Sequence, residues 1–167
     1  MMRIIGVDPG SMVTGYGIVE QDNLTLTHVA SGRVVSSPHT PFHLRLKKIY
    51  EELEKVIGLY KPEVMAVEDL FMARNIKSAL KLGHARGVAI LAGLNADLSI
   101  AEYSPLEVKK AIVGYGRAHK VQVQEMIRTL LGLVDLPQSD TADALAIAVC
   151  HLHCCHGAGR LTYGSLR

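Results

Sequence analysis

The sequence predicts an α/β domain built on a five-stranded mixed sheet, with three antiparallel strands followed by two parallel strands and helices on both faces. The first observation is a series of three strand-like segments at residues 3–8, 13–20 and 24–35. Residues 21–23 are expected to form a hairpin loop, so we predict an antiparallel meander. The second observation is that helical and strand-like segments alternate from residue 42 onward, which is typical of parallel strands joined by helices.

Apolar residues that recur every three or four positions identify the helices. Helices are predicted at residues 42–60, 75–94, 119–132 and 139–153, with a short helix capped by Ser104 before the third of these. The glycines of the 75–94 helix predict close packing against a neighbour. Buried strands are predicted at residues 64–67 and 98–103. The domain is expected to cover residues 1–156, and residues 157–167 are expected to form a loose C-terminal tail.

The composition is that of one globular domain. The chain has 167 residues, of which 49% are hydrophobic and 20% are charged. No apolar run approaches the ~20 residues that a membrane-spanning helix needs. The first residues contain too short an apolar stretch for a secretory signal, so we expect a cytoplasmic protein. The three cysteines, Cys150, Cys154 and Cys155, form one odd-numbered cluster, which predicts reduced thiols rather than disulfides.

Positive charge is concentrated in two segments, although the net charge is only +2. Between Asp69 and Asp97 the chain carries basic residues and no acid, and from Leu106 to Gln124 it carries several basic residues and one acid, Glu107. The basic residues are Arg74, Lys77, Lys81 and Arg86 in the first segment, and Lys109, Lys110, Arg117 and Lys120 in the second. Such a distribution favours a polyanionic partner, with two solvated helix faces as the alternative.

Acidic residues mark one edge of the predicted sheet. Asp8 ends the first strand, Glu68 ends the fourth, and Asp140 and Asp143 lie in the first turn of the last helix. A spacing of three places the last two on one helix face. Because sites in such sheets gather at the carboxyl ends of strands, we expect these four carboxylates to lie together.

A cluster of carboxylates suits a hard divalent cation such as Mg²⁺. Two such ions can activate a water and stabilise the leaving oxygen in phosphodiester cleavage. Taken singly, each acid has a structural explanation. Asp8 could start a turn, Glu68 could be a solvated strand end, Asp140 could cap the helix, and Asp143 could be a favourable charge in its first turn.

Several motifs occur in the order shown by one enzyme family. They are Ile5-Gly6-Val7-Asp8-Pro9-Gly10 with Thr14-Gly15-Tyr16-Gly17; Ala66-Val67-Glu68-Asp69-Leu70-Phe71-Met72-Ala73-Arg74-Asn75; Ser78-Ala79-Leu80-Lys81-Leu82-Gly83 with Ala85-Arg86-Gly87; Val108-Lys109-Lys110 with Gly114-Tyr115-Gly116; and Asp140-Thr141-Ala142-Asp143-Ala144-Leu145-Ala146. One of these alone would be a weak signal, but all of them in order are highly specific. The chain resembles, over nearly its full length, the RuvC-type Holliday-junction resolvases, which have the ribonuclease H-like fold.

The resemblance implies a homodimer that binds a four-way DNA junction and nicks two strands of like polarity symmetrically, in recombination and repair. The family's catalytic, metal-binding acids fall on Asp8, Glu68, Asp140 and Asp143. Two Mg²⁺ ions per site are expected, and Mn²⁺ is expected to substitute. Some members carry His where this chain has Asp140. The resemblance also implies 5′-phosphate and 3′-hydroxyl ends, a short T-rich cleavage site, and the RuvA–RuvB branch-migration complex as a partner.

The resemblance further assigns residues that bind DNA. The family's junction-wedging aromatic falls on Phe71, and its basic residues that support cleavage fall on Lys109 and Lys120. An exposed aromatic beside a nuclease site can stack on an opened base, whereas ordinary core packing is the alternative for Phe71. The basic segments extend the expected DNA contacts to Arg74, Lys77, Lys81, Lys110 and Arg117.

Parts of the sequence are also compatible with other classes of protein. The pattern Asp8-Pro-Gly-x4-Gly15-x-Gly17 also resembles the phosphate loop of actin-like and sugar-kinase ATPases, but that fold needs two such domains. A non-catalytic junction-binding module would not need all four acids, and the Phe71 segment argues against a nuclease for RNA–DNA hybrids. Residues 150–156 are rich in Cys and His and could bind zinc. We expect a helix end with core thiols there instead.

Overall fold

In the computed structural model, which describes residues 1–69 and 75–157 apart from the side chains of residues 156 and 157, five strands form one mixed sheet. They are β1 (Met2–Asp8), β2 (Val13–Asp22), β3 (Thr25–Val35), β4 (Val64–Glu68) and β5 (Ser99–Tyr103). Their order is β3-β2-β1-β4-β5. The pairs β1–β2 and β2–β3 are antiparallel, and the pairs β1–β4 and β4–β5 are parallel, as the sequence predicts.

Helices cover both faces of this sheet. They are α1 (Phe42–Tyr60), α2 (Ile76–Asn95), α3 (Pro105–Val113), α4 (Lys120–Leu130) and α5 (Ser139–Gly157). One hydrophobic core lies between the sheet and α3, α4 and α5, and a second lies between the sheet and α1 and α2. None of the described helices is long and apolar enough to cross a membrane. The predicted tail lies outside the described residues from position 158 onward.

The alternation of side chains along the strands decides which way the acidic residues point. Ile4 of β1 and Ala66 of β4 contribute to the core beneath α5, whereas their neighbours along each strand contribute to the opposite core. Since side chains alternate with a period of two, Asp8 and Glu68 project from the face that α5 covers. The strands β1 and β4 are adjacent and parallel, so these two carboxylates emerge at the same edge of the sheet.

Glycine residues let α5 lie directly on the backbone of β1 and β2. A Cβ atom added at Gly6 would lie 2.0 Å from the carbonyl oxygen of Ala144, and one added at Gly15 would lie 2.0 Å from the carbonyl oxygen of Asp140. Both distances are far inside van der Waals contact. Because Gly6 and Gly15 have no side chains, the helix that carries Asp140 and Asp143 packs directly against the sheet.

The hairpin between β2 and β3 differs from the prediction. Gln21 and Asp22 belong to β2, and the turn consists of Asn23 and Leu24. Gln21 remains in the ladder because it is buried and pairs with Met2 on one side and with Leu26 on the other. Asn23 has φ 53°, a conformation that Asn tolerates better than most residues, which favours a two-residue turn.

The glycines of α2 only partly meet the predicted close packing. Gly93 does pack closely, because a Cβ there would lie 2.9 Å from the sulfur of Met65. At Gly83 and Gly87, however, a Cβ would find no atom within 4 Å. The prediction is wrong at these two positions within this chain, because they lie on the side of α2 that faces away from the sheet.

Candidate active site

One cleft brings together residues from five elements of the fold. It measures about 360 Å³ and lies where the carboxyl ends of β1 and β4 meet α3, α4 and α5. The charged residues that line it are Asp8, Glu68, Lys109, Lys120 and Asp143. The structure thus places together three of the four predicted acids and the two lysines that the resemblance singled out.

Asp140 lies at the margin of this cleft rather than in its lining. It is in the first turn of α5, and the helix already begins at Ser139, so Asp140 is not the helix cap. Its carboxylate oxygen Oδ2 lies 3.8 Å from Nη1 of Arg33 on β3. Asp140 still belongs to the electrostatic environment of the site, because its charge contributes to raising the pKa of Asp8.

Asp8 is the most strongly perturbed carboxyl group of the site. Its pKa is raised from 3.8 to about 7, chiefly by burial and then by the charges of Glu68, Asp143 and Asp140, while the charge of Lys120 opposes this rise. Burial and then Asp143 also raise the pKa of Glu68, whereas Lys120 and Lys109 lower it. The cleft is therefore a site of concentrated negative potential that a bound cation would relieve.

Lys120 is the first residue of α4 and forms the closest charged contact in the cleft. Its Nζ lies 2.7 Å from Oδ2 of Asp143. Burial lowers the pKa of this lysine, but the hydrogen bond to Asp143 and the charges of Asp143, Asp8 and Asp140 outweigh that effect and raise it overall. Lys120 therefore stays protonated at neutral pH, which suits a counter-charge better than a proton donor.

The donor set fits a hard divalent cation in its chemistry. Three carboxylates, from β1, β4 and α5, line the cleft and a fourth, Asp140, lies at its margin, and oxygen ligands are those that Mg²⁺ prefers. Within residues 1–69 and 75–155, no three Asp, Glu, His or Cys side chains stand close enough to share one ion as they are placed. Two of the carboxylates instead contact cationic side chains, Asp143 with Lys120 and Asp140 with Arg33.

Arg86 joins the end of β4, which carries Glu68, to the neighbouring strand β5. Its Nε donates a hydrogen bond of 3.1 Å to the main-chain oxygen of Glu68, and its guanidinium also pairs with Asp69, at 3.8 Å, and with Glu102 of β5. In the sequence, Arg86 stands out only as a member of a basic segment. Its role in fixing the end of β4 depends on tertiary contacts that the sequence pattern does not reveal.

The remaining basic residues predicted to bind DNA lie outside the cleft. Lys110 and Arg117 are exposed in and after α3, and Lys77 is exposed in the first turn of α2. Lys81 lies over the ring of Phe42, with Nζ 5.9 Å from the ring centre. Phe71 and Arg74 lie outside the described residues.

The Cys- and His-rich segment belongs to the C-terminal part of α5. Cys150 is buried, Cys154 and Cys155 are exposed, and all three are free thiols. Both ring nitrogens of His151 form hydrogen bonds. Nδ1 lies 2.8 Å from the Tyr103 hydroxyl, and Nε2 lies 3.5 Å from the Cys155 sulfur. The contact with Tyr103 ties α5 to the edge strand β5.

The raised pKa of Asp8 predicts a specific dependence of stability on pH. The folded protein binds this proton more tightly than the unfolded chain, so the free energy of unfolding should fall as the pH rises from about 4 to about 7. In chelator at pH 8, we expect Asp8→Asn to stabilise the protein by about 1–3 kcal/mol, below the limit of about 4 kcal/mol that the full pKa difference sets. Chemical unfolding at pH 5 and pH 8 measures this.

A matched variant separates this effect from a general loss of charge. Glu54 is an exposed carboxylate on α1, so Glu54→Gln should leave the pH dependence of stability as in the unmodified protein. If Asp8→Asn showed the same dependence as Glu54→Gln, the assignment of this titration to Asp8 would be wrong.

Comparison with known proteins identifies the family. The family model for crossover junction endodeoxyribonuclease RuvC matches residues 4–151. The chain belongs to the RuvC family. RuvC proteins from Syntrophotalea carbinolica and Geobacter sulfurreducens are 55% and 54% identical to it, over 93% and 90% of this chain and 96% and 92% of theirs.

Solved structures agree with this RuvC assignment. A Thermus thermophilus RuvC in complex with a Holliday junction substrate superposes with a TM-score of 0.89 at 34% identity, covering 95% of this chain and 97% of that one. The yeast mitochondrial Holliday junction resolvase Ydc2, at 13% identity and a TM-score of 0.63, shares the fold. The predicted family, ribonuclease H-like fold and nuclease class are confirmed, and membership of this family implies dependence on a divalent metal ion.

Proposed function

We propose that this RuvC chain resolves four-way DNA junctions by metal-dependent hydrolysis of one phosphodiester bond in each of two strands. The observation that carries the proposal is the cleft in which Asp8, Glu68 and Asp143 meet Lys109 and Lys120. The Thermus relative that superposes on this chain holds a Holliday junction substrate, which supports the same substrate here.

Asp8, Glu68, Asp143 and Asp140 are the residues that would hold the divalent ions, proposed to be two Mg²⁺ ions with Mn²⁺ as a substitute. Bound ions would activate water for attack on phosphorus and stabilise the leaving oxygen. The carboxylates bind and orient; none needs to act as an acid. The hydrogen bond that Arg86 donates to the main-chain oxygen of Glu68 fixes the position of that residue.

The two lysines of the cleft would bind the scissile strand. Lys120 remains charged and is 56% exposed, so its ammonium group can exchange Asp143 for a phosphate oxygen. Lys109 lies near enough to Glu68 to lower the pKa of that residue, which places a second positive charge at the same end of the cleft. Both would neutralise charge that develops on the phosphate in the transition state.

Residues farther from the cleft would hold the arms of the junction. Lys110 lies on α3, the helix that carries Lys109, and Arg117 follows that helix. We propose that both contact phosphates there, as do Lys77 and Lys81 on α2. Phe71 and Arg74 are proposed, from the resemblance alone, to open and hold the centre of the junction. Because these contacts are mainly to phosphates, binding should weaken steeply with salt.

Paired nicking requires two active sites, and we propose that α2 provides the dimer interface. Its outward side forms an apolar groove lined by Ala79, Leu80, Gly83, His84, Gly87, Val88 and Leu91. Leu80 and Leu91 are 59% and 49% exposed, and the two glycines between them have open space where a Cβ would be. Apolar side chains that flank glycines suit the close approach of a second α2 helix around a two-fold axis.

A charge on this surface should separate the protomers. We expect Leu80→Glu to convert the protein from a dimer to a folded monomer at micromolar concentration, as measured by light scattering after gel filtration. Leu59→Glu is the matched control, since Leu59 is an exposed leucine on α1 outside this groove, and it should remain dimeric. A Leu80→Glu protein that stays dimeric would place the interface elsewhere.

The wider context of the reaction is also proposed from the family. We propose that the reaction leaves 5′-phosphate and 3′-hydroxyl ends at a short T-rich site. It would take place in the cytoplasm, together with the RuvA–RuvB branch-migration complex. If water attacks phosphorus and the 3′-oxygen leaves, the products carry a 5′-phosphate and a 3′-hydroxyl, which DNA ligase can join.

End-labelled DNA tests the function. A synthetic four-way junction and a linear duplex containing the same sequences are incubated with the protein and Mg²⁺, and the nicks are mapped on every strand. We expect symmetric nicks in two junction strands, sealed by DNA ligase, and little cleavage of the linear duplex. Equal cleavage of both substrates would contradict selectivity for the junction.

A further inference from the structure

A row of paired residues runs across three strands at the mouth of the cleft. Asp8 of β1 pairs with Gly15 of β2, and Gly15 pairs with Arg33 of β3. Directly paired residues of antiparallel strands point to the same face of the sheet. Arg33 therefore projects from the face that carries Asp8, towards α5.

Because Gly15 has no side chain, the start of α5 packs directly against this row of paired residues. A Cβ at Gly15 would lie 2.0 Å from the main-chain oxygen of Asp140, so Asp140 sits directly over β2 and between Asp8 and Arg33. The carboxylate of Asp140 faces Nη1 of Arg33 at 3.8 Å, and the two side chains are 35% and 34% exposed. The register of β3 with β2 therefore places Arg33 beside the site.

Arg33 differs from Lys120, which also contacts an acid of the site. A guanidinium group keeps its positive charge throughout the pH range in which proteins work. Arg33 lies near the C-terminal end of β3, where its pairing with Gly15 of β2 fixes its position. It lies outside both basic segments of the sequence. A permanent positive charge beside a carboxylate lowers the affinity of that carboxylate for any other cation.

We propose that Arg33 is a positioning residue that pairs with Asp140 and competes with the divalent metal ion for its carboxylate. Arg33 holds the Asp140 side chain at the margin of the cleft and sets the metal affinity of the DNA-free enzyme below the value that the acids alone would give. The inference rests on the proposed metal site and deepens it.

Metal binding to the full chain without DNA tests this inference. Free Mn²⁺ is measured by electron paramagnetic resonance during titration of the protein. We expect Arg33→Gln to bind Mn²⁺ roughly two- to fivefold more tightly, the range that so exposed an ion pair allows. Arg33→Lys keeps the charge and should stay near the affinity of the unmodified protein. If Arg33→Gln does not fold, Arg33→Thr, which suits a strand, takes its place.

Two controls separate pairing with Asp140 from a general change of charge. Lys48 donates a hydrogen bond of 2.8 Å to the main-chain oxygen of Val35, so Lys48→Gln removes one positive charge near the same strand without touching the acids. It should leave Mn²⁺ affinity unchanged. In an Asp140→Asn background, which itself should bind Mn²⁺ more weakly, Arg33→Gln should have no further effect.

The outcomes distinguish this inference from the function on which it rests. Unchanged Mn²⁺ affinity in Arg33→Gln would overturn the inference. So would equal tightening by Lys48→Gln, or tightening that persists in the Asp140→Asn background. If Asp140→Asn and Asp143→Asn both bound Mn²⁺ as tightly as the unmodified protein, the proposed metal site itself would be wrong.

Discussion

Asp143→Asn is expected to abolish junction cleavage while leaving junction binding intact. The carboxylate of Asp143 lines the cleft and contacts Lys120 at 2.7 Å, and an amide of the same shape carries no charge to hold a cation. Loss of one ligand of the metal site should lower the cleavage rate by about 10²–10³-fold or more. Binding should be equal or slightly tighter, because a negative charge that repels DNA is removed.

Parallel measurements of cleavage and binding make this prediction specific. Cleavage is followed with a labelled junction in Mg²⁺, and binding by the mobility of the same junction in Ca²⁺ or chelator. Asp135→Asn makes the same chemical change at an exposed position before α5 and should cleave normally. Full cleavage by Asp143→Asn would remove Asp143 from the site, whereas loss of both binding and cleavage would indicate damage to the fold.

Gly15→Ala should damage both stability and activity. The new Cβ would lie 2.0 Å from the main-chain oxygen of Asp140 and 2.6 Å from its carbonyl carbon, and no side-chain rotation can relieve a clash with backbone. The start of α5 has to move away from β2, at a cost of about 1–3 kcal/mol or more in the free energy of unfolding. A displacement of Asp140 and Asp143 by ~1 Å can lower the rate by about 10²-fold.

An open glycine provides the control for this change. Gly58 is exposed in α1, and a Cβ there would find no atom within 4 Å. Gly58→Ala should stabilise the protein by about 0.5–1 kcal/mol, because alanine is the better helix former, and leave cleavage unaffected. Urea unfolding and junction cleavage measure both variants. If Gly15→Ala were as stable and active as Gly58→Ala, close seating of α5 on β2 would not position the acids.

The acids of the cleft were predictable because each marks the end of a strongly patterned element. Asp8 and Glu68 follow buried strands whose alternation fixes the face to which they point. Asp143 adjoins the apolar face of a helix, where an unpaired charge is costly. The approximate bounds of the helices and strands follow from the same periodicities, and the directions of the strands, three antiparallel and then two parallel, were also accessible from the sequence.

The features that the sequence did not predict depend on register or on contacts between distant elements. The pairing of Arg33 with Asp140 requires the register of β2 with β3, which a one-residue shift would destroy. The anchoring of Glu68 by Arg86 requires α2 to cross the end of β4. The turn at Asn23 was misplaced because Gln21 is a polar residue that nonetheless stays buried in the ladder.

Cleavage of a supercoiled plasmid that extrudes a cruciform tests most directly that two copies of this acidic cleft cut one junction together. If both strands are cut within the lifetime of one complex, the plasmid passes directly from supercoiled to linear DNA in Mg²⁺, with no accumulation of nicked circles. No cleavage is expected in chelator. Accumulation of nicked circles that become linear only later would show that the two cuts are independent and would contradict the account.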